Sequence, residues 1–190
     1  KYGAIKDSLT FNEISKPKVQ AKDVLIEVKA AAINPIDKLI ILGNLQGMLP
    51  VAFPSTVAYD VSGIVVEKGA EVSDFEIGDL VYSRVPQEQM GTIAEYVAVT
   101  SVAVSKKPGN ITFEEAASLP LAGLTAMQSL EYAGIKENDK VLIHAGSGGV
   151  GSLAIQYAKA KGAYVYTTTS TNNVKWVKEL GADRVIDYKT

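Results

Sequence analysis

The stretch that most constrains the fold runs from Lys140 to Lys161. Lys140-Val141-Leu142-Ile143-His144 reads as a buried strand. Val150 to Lys161 reads as a helix with Leu153, Ala154, Tyr157 and Ala158 on one face, stopped by Gly162. Between them stands Ala145-Gly146-Ser147-Gly148-Gly149-Val150-Gly151, which contains G-x-G-x-x-G at Gly146, Gly148 and Gly151. A strand that turns through such a loop straight into a helix is the context in which the motif binds a dinucleotide phosphate. Gly146 is expected to permit the tight turn, Gly148 to let backbone approach a pyrophosphate, and Gly151 to let the helix pack close to the strand. The helix N-terminus then offers free N–H groups and a positive dipole end. The alternative is a glycine-rich turn without a ligand. A Walker-type loop is excluded, because Ser152-Leu153 follows Gly151 in place of Lys-Ser/Thr.

Strand–helix alternation continues beyond this unit. Tyr164 to Thr168 reads as strand, Asn172 to Leu180 as a helix with Val174, Val177 and Leu180 inward, and Arg184 to Asp187 as strand. That β-α-β-α-β order is the first half of a doubly wound parallel sheet. The preceding part differs in character. Val24 to Ala30, Val61 to Glu67, Asp79 to Tyr82 and Ile93 to Val99 are short, β-branched or aromatic, and punctuated by Gly and Pro, which suggests a barrel or sandwich. Thr112-Phe113-Glu114-Glu115 has a capping-box pattern opening a helix through Ala116 and Ala117, and Leu124 to Ala133 is a second helix ending before Gly134. The expected organisation is one domain over residues 1–121 and another over 122–190. The chain lacks an initiator Met and stops at Thr190, just after the third strand, so a fragment of a longer chain is expected; a short protein that dimerises to complete its sheet is the alternative.

Composition narrows the chemistry. There is no cysteine, and His144 is the single histidine, so disulfides, thiolate zinc sites and Cys nucleophiles are excluded and no metal site is expected. No G-x-S-x-G elbow is present for His144 to serve. Formal net charge is −2 and no Lys/Arg block occurs, which argues against a nucleic-acid or anionic-membrane surface. No signal peptide is visible and no apolar run approaches the ~18 residues of a membrane span. A cytoplasmic protein is expected.

A dinucleotide fold selective for NAD carries Asp or Glu at the end of its second strand, to hold the ribose 2′-hydroxyl. Here that region is Tyr166-Thr167-Thr168-Thr169-Ser170-Thr171-Asn172-Asn173, with no carboxylate before Glu179 and with Lys175 close by. Hydroxyls and amides can donate to a 2′-phosphate that a carboxylate would repel, which favours NADP(H); a Thr-rich loop without that role is the alternative. Without a metal, hydride chemistry must polarise its acceptor by hydrogen bonds alone. That suits a C=C conjugated to a carbonyl, or a quinone.

These residues resemble the medium-chain dehydrogenase/reductase superfamily, specifically its zinc-free quinone oxidoreductase branch of zeta-crystallin-like proteins and enone reductases. The resemblance extends over essentially the whole chain. It is carried by Ala30-Ala31-Ala32-Ile33-Asn34-Pro35-Ile36-Asp37, Asp60-Val61-Ser62-Gly63-Ile64-Val65, Gly78-Asp79-Leu80-Val81, Gly91-Thr92-Ile93-Ala94-Glu95-Tyr96, Ala116 to Ala126, and the glycine loop. It implies a GroES-like β-barrel domain followed by the first half (βαβαβ) of a Rossmann domain. Zinc members carry a ligand Cys where Asn34-Pro35 stands and His-Glu where Tyr59-Asp60 stands. Asn34 would lie near nicotinamide and substrate, Thr125 on the nicotinamide side, and Gly146, Ser147, Gly148, Gly149, Val150 and Gly151 around the pyrophosphate. Ser170, Asn173 and Tyr188 occupy positions that look like 2′-phosphate and adenosine contacts. Two departures are Asn173, where many members have Lys, and Ala58, where Gly is common.

Asn34 also reads as the start of an Asn-Pro turn, Tyr59 as a gap filler, and His144 as a packed, hydrogen-bonded residue. Asp60 reads as a structural acceptor, and Trp176 has no evident role. The function expected is hydride transfer from NADPH to an enone, enal or quinone, with Asn34 or Tyr59 donating to the developing oxygen and a homodimer at full length. The rivals are a non-catalytic NADPH-binding protein and an enoyl-thioester reductase.

Overall fold

Strand β1 (Asp23–Ala32) organises the first half of the computed structural model, which describes residues 1–190. Val24, Leu25 and Ile26 are all fully buried, so both faces of its first half are covered. That is why a continuous apolar run precedes the alternation there. Around it lie β2 (Asp60–Lys68), β3 (Leu80–Arg84), β4 (Tyr96–Thr100) and β5 (Val104–Lys106), in the order β4-β1-β2-β3-β5. Every pairing in this sheet is antiparallel. Val24, Ile26, Tyr59, Val61, Val65, Val81, Val97 and Val99 fill the core.

The β1–β2 register slips twice, between Leu25 and Ile26 and between Val28 and Ala30, and ends with Ala32 opposite Asp60. Bulges of this kind re-aim a strand. The chain leaves β1 beside the start of β2 and enters helix α2 (Pro35–Ile41), which follows the short α1 (Ile5–Ser8). Asn34-Pro35, readable as a simple turn, is thus a helix start, with Pro at the first helical position where its missing N–H costs nothing. Helix α3 (Phe113–Ala117) has the expected box: Thr112 N–H donates to Glu115 and Glu115 N–H to the Thr112 hydroxyl. Its buried Ala116 and Ala117 face β1 and β2.

The chain divides into two compact units, Lys1–Leu121 and Ala122–Thr190. Helix α4 (Pro120–Tyr132) begins four residues before the Leu124 start read from the sequence, at a proline that again takes the first helical position. In the second unit β6 (Lys140–Ile143), β7 (Tyr164–Thr169) and β8 (Arg184–Asp187) form a parallel sheet in the order β6-β7-β8. The crossovers are α5 (Gly149–Ala160) and α6 (Val174–Glu179). Ala154 and Ala158 of α5 are buried, as the periodicity requires, together with Ile155, Val165 and Val177. The strand expected to include His144 stops at Ile143. His144 is exposed, not packed, with Nδ1 3.3 Å from the Thr168 hydroxyl. Trp176 is 43% exposed.

Gly63 faces Val28 at the second bulge. A methyl there would lie 2.0 Å from the Glu27 carbonyl oxygen and 2.8 Å from Ile26 Cγ2, and backbone cannot yield cheaply. Gly63→Ala is expected to cost at least about 1–3 kcal/mol, as overpacking does. Gly47→Ala, which meets nothing within 4 Å, is the control. Urea unfolding of the full-length protein checks both; equal midpoints would refute the bulge constraint.

Candidate functional site

In the second unit the glycine loop wraps the end of β6. Gly148 N–H donates to Ala145 O at 2.9 Å, Gly146 N–H to Thr168 O at 3.0 Å, and Ala145 N–H to the Thr168 hydroxyl at 3.0 Å. The left-handed residue is Ala145, with φ 54°. The sharp turn therefore belongs to Ala145 and not to Gly146, whose need is for space. A Cβ on Gly146 would stand 2.0 Å from Thr167 Oγ1. Thr167 is fully buried and its hydroxyl donates to Ile143 O at 2.7 Å, so it cannot move aside. Gly151 plays the expected part, since its Cβ would lie 2.3 Å from Ala145 O and 2.9 Å from Gly146 Cα. Helix and turn touch backbone to backbone there.

Gly148 and Gly149 meet the outside. A Cβ on Gly148 would meet only Ala145 O at 3.3 Å, and one on Gly149 only Ala122 Cβ at 4.0 Å. The first helical bond across the cap is Ser152 N–H to Gly148 O. The N–H groups of Gly149, Val150 and Gly151 precede it and have no partner within the helix. This is an open cradle of backbone donors at the N-terminus of a 12-residue helix.

The remaining candidates of this unit other than Thr125 lie at the same sheet ends. The Thr169 hydroxyl donates to Ser147 Oγ at 2.9 Å. Ser170 follows β7 and caps a 3-10 turn, Thr171–Asn173. Asn173 N–H bonds Ser170 O, with its Nδ2 3.4 Å from Ser170 Oγ. Tyr188, 62% exposed, follows β8 and donates its N–H to Thr169 O. Thr125 is exposed on α4. A carboxylate does stand near the end of the second strand of this sheet: Asp187 pairs with Thr169, and its Oδ1 accepts Lys189 N–H at 2.9 Å. Parallel register brings it there; separation along the chain conceals it.

In the first unit Asn34 and Tyr59 belong to a polar cluster. Asn34 Nδ2 donates to Asp60 Oδ2 at 2.8 Å. Leu121 N–H donates to both Asp60 oxygens, at 3.0 and 3.2 Å. Asn34 N–H donates to Asp37 Oδ2 at 2.6 Å. Asp60 is fully buried, and Asp37, itself buried, leaves Oδ1 without a hydrogen-bond partner. Arg84 lies opposite Asp60 across β2–β3, and its guanidinium stands 4.8 Å from the Tyr59 ring centre. Tyr59 is buried and lines a cavity of about 320 Å³ with Val51, Ser55, Glu88 and Met90 among its walls. Sequence patterns alone do not single out Asp37 or Arg84 as site residues. Asp37 carries one signal, an acid three residues after an N-cap Asn. Arg84 carries none, because only the strand register sets it against Asp60.

Burial pushes the Asp60 carboxyl up to about 6, against the hydrogen bonds from Asn34 and Leu121 that favour its ionised form. Burial also raises Asp37, against the Asn34 N–H bond and Arg84. It raises the Tyr59 phenol too, with Arg84 opposing. A raised carboxyl holds its proton more tightly in the folded state than in the unfolded chain. Between the ordinary value of 3.8 and about 6 the folded protein therefore binds more protons, and stability falls as pH rises through that window. The Asp60 contribution is at most about 3 kcal/mol, and Asp37 adds in the same direction. Measured against Asp60→Asn, which cancels the opposing lowered carboxyls of Asp79, Glu114 and Asp183, the wild-type urea midpoint of the full-length protein should decline from pH 4 to pH 6 and then level off. A midpoint that climbs across the window in the wild type, unchanged by the substitution, would contradict this account.

Residues 20–109 match the family described as alcohol dehydrogenase GroES-like domain, and residues 149–190 the one described as zinc-binding dehydrogenase. The chain is 39% identical over 195 aligned positions to a chloroplastic quinone-oxidoreductase homolog of Spinacia oleracea, covering 100% of this chain and 59% of that protein. It is 40% identical to the NADPH-dependent alkenal/one oxidoreductase, chloroplastic, of Arabidopsis thaliana, covering 98% of this chain and 50% of that protein. The solved quinone oxidoreductase of Coxiella burnetii superposes with a TM-score of 0.87 at 40% identity, covering 99% of this chain and 60% of that one. The chain thus spans half to three-fifths of the length of these relatives. One description names zinc, but the donors for it are missing. There is no cysteine, the one histidine lies in the glycine turn, and no three His, Cys, Asp or Glu side chains group together. These residues do not fit a zinc ion. No helix is long and apolar enough to cross a membrane. GroES-like strands, a half Rossmann sheet and these relatives agree: the two parts of the chain match the dehydrogenase families, and the proteins it resembles are quinone oxidoreductases and an enone reductase of the medium-chain dehydrogenase/reductase superfamily.

Proposed function

We propose that the protein containing this segment is a zinc-independent, NADPH-dependent reductase of α,β-unsaturated carbonyls and quinones. The observation that carries the reading is the open cradle at Gly148 to Gly151, where three helix-end N–H groups lie beside glycines that leave the approach uncrowded. NADPH supplies a hydride when bound. Gly146 and Gly151 keep the turn and helix close enough for the cradle to exist, and Ser147, Gly148, Gly149 and Val150 face the pyrophosphate. Ser170 and Asn173 donate to the 2′-phosphate, Tyr188 borders the adenosine, and Thr125 contacts the nicotinamide side. The name of the Arabidopsis relative supports the choice of NADPH.

On this reading residues 1–121 are the catalytic domain and 122–190 the N-terminal part of the NADP-binding domain. Asn34 and Tyr59 offer N–H and O–H donors to the acceptor oxygen, where negative charge develops as the β-carbon is reduced. The cavity beside Tyr59, walled by Val51, Ser55, Glu88 and Met90 among others, offers room for a small acceptor. Water or a side chain then protonates the α-carbon. The acceptor is a small enone or quinone, the full-length protein a homodimer, and nucleic acid and membrane are not partners. The protein acts in the cytoplasm, although the plant relatives carry chloroplastic names.

The test is NADPH oxidation by the full-length protein with a small unhindered enone beside a simple quinone, each repeated with NADH. Turnover should be faster with NADPH. Asn34→Ala should lower kcat by about 10²–10³, the worth of one oxyanion donor. Gly151→Ala should weaken NADPH binding at least tenfold, because its methyl collides with Ala145 O. Saturable NADPH binding with no turnover of either acceptor would sink the reductase reading and leave a binding protein or a thioester reductase.

A further inference from the structure

Two groups in the first unit converge on the side chain of Asp60. Asp60 opens β2, Asn34 precedes α2, and Leu121 lies in the first turn of α4. The Asp60 carboxyl has no exposed surface and accepts from the Asn34 amide and the Leu121 N–H. It is too deep to touch a ligand itself. Asn34 is only half-buried, so the residue itself, unlike Asp60, borders solvent.

We propose that Asp60 is a positioning residue whose buried carboxylate determines which face of the Asn34 amide is turned toward the acceptor. The inference rests on the donor role given to Asn34 above. An ionised carboxylate has acceptors only, so the amide group facing it must be the NH₂ and never the carbonyl oxygen. One Nδ2 hydrogen is spent on Asp60 Oδ2, which pins the amide plane and leaves the second hydrogen for an acceptor oxygen. The Leu121 N–H, shared between both Asp60 oxygens, stops the carboxylate from swinging round to release the amide. A protonated Asp60 is different. Its hydroxyl can donate to Asn34 Oδ1, both amide orientations become acceptable, and the selection is lost.

The groups facing Asp60 define the setting of that switch. Asp37 on α2 is a second buried acid, and Arg84 on β3 is the compensating cation. Tyr59 is its neighbour on the chain, and Glu88 acts on Tyr59 from the following loop. Burial of Asp60 places the change near pH 6.

The full-length enzyme labelled with ¹⁵N-asparagine reads the tie directly. The Asn34 side-chain pair, identified by its loss in Asn34→Ala, should shift with a midpoint near pH 6, and Asp60→Asn should abolish the shift. On the enone, Asp60→Asn should lower kcat by up to about 10²-fold, the cost of a misplaced reacting group, without changing the Kd for NADPH. The double variant with Asn34→Ala should lose little beyond the larger single loss. An Asn34 amide indifferent to pH in the wild type, or additive losses in the double variant, would overturn the proposal. Where Asp60→Asn fails to fold, the wild-type titration decides alone. Full turnover by Asn34→Ala would instead remove the donor role of Asn34, while the titration still reports whether Asp60 holds the amide.

Discussion

A carboxyl group buried without any exposed surface is the constraint around which the first unit is arranged. Such a group is tolerated only with hydrogen-bond partners, and Asp60 finds them on segments distant in the chain. The partners must arrive together. The slipped β1–β2 register ends with Ala32 opposite Asp60, so Asn34 emerges beside the acid. The β2–β3 register sets Arg84 across from it. The helix beginning at Pro120 offers the Leu121 N–H. Polar satisfaction here shapes the fold as much as the apolar core beneath it.

The second unit rests on a steric constraint of the opposite kind, the absence of atoms. Gly146 and Gly151 lack side chains because Thr167, Ala145 O and the turn backbone occupy the space. Gly148 and Gly149 are nearly uncrowded by their own chain, and that vacant side exposes the helix-end N–H groups. Four glycines in one motif therefore do two different jobs. The left-handed backbone of the turn falls to Ala145, the residue before them.

Much of the second unit is legible in the residues themselves. Strand, glycine loop and helix follow one another along the chain, and local periodicity resolves them; β8 spans Arg184–Asp187, the range read for it from the residues. His144 departs from the packed state expected of it because a strand-end residue is packed or exposed according to what crosses it, and that is settled by neighbours. In the first unit the strands are visible in the sequence, yet α2 hides behind an Asn-Pro pair that reads equally as a turn. Asp37 and Arg84 stay hidden because their significance is relational. Neither carries a local motif of catalysis, and each matters through its setting around Asp60 or Tyr59.

By itself, the sequence determined the alternation of elements, the glycine-rich turn between strand and helix, the lack of zinc donors and the resemblance to the superfamily. These depend on residue identity and on spacing within a few residues, which a chain states directly. Tertiary structure alone decided that Asn34, Asp60 and Leu121 share one hydrogen-bonded centre, that Arg84 lies across from Asp60, and that Asp187 stands beside Thr169. Those relations are set by strand register and by a bulge, where a slip of one residue turns every side chain to the other face. Desolvation follows from that packing, so the raised Asp60 carboxyl also belongs to the folded molecule and not to the chain.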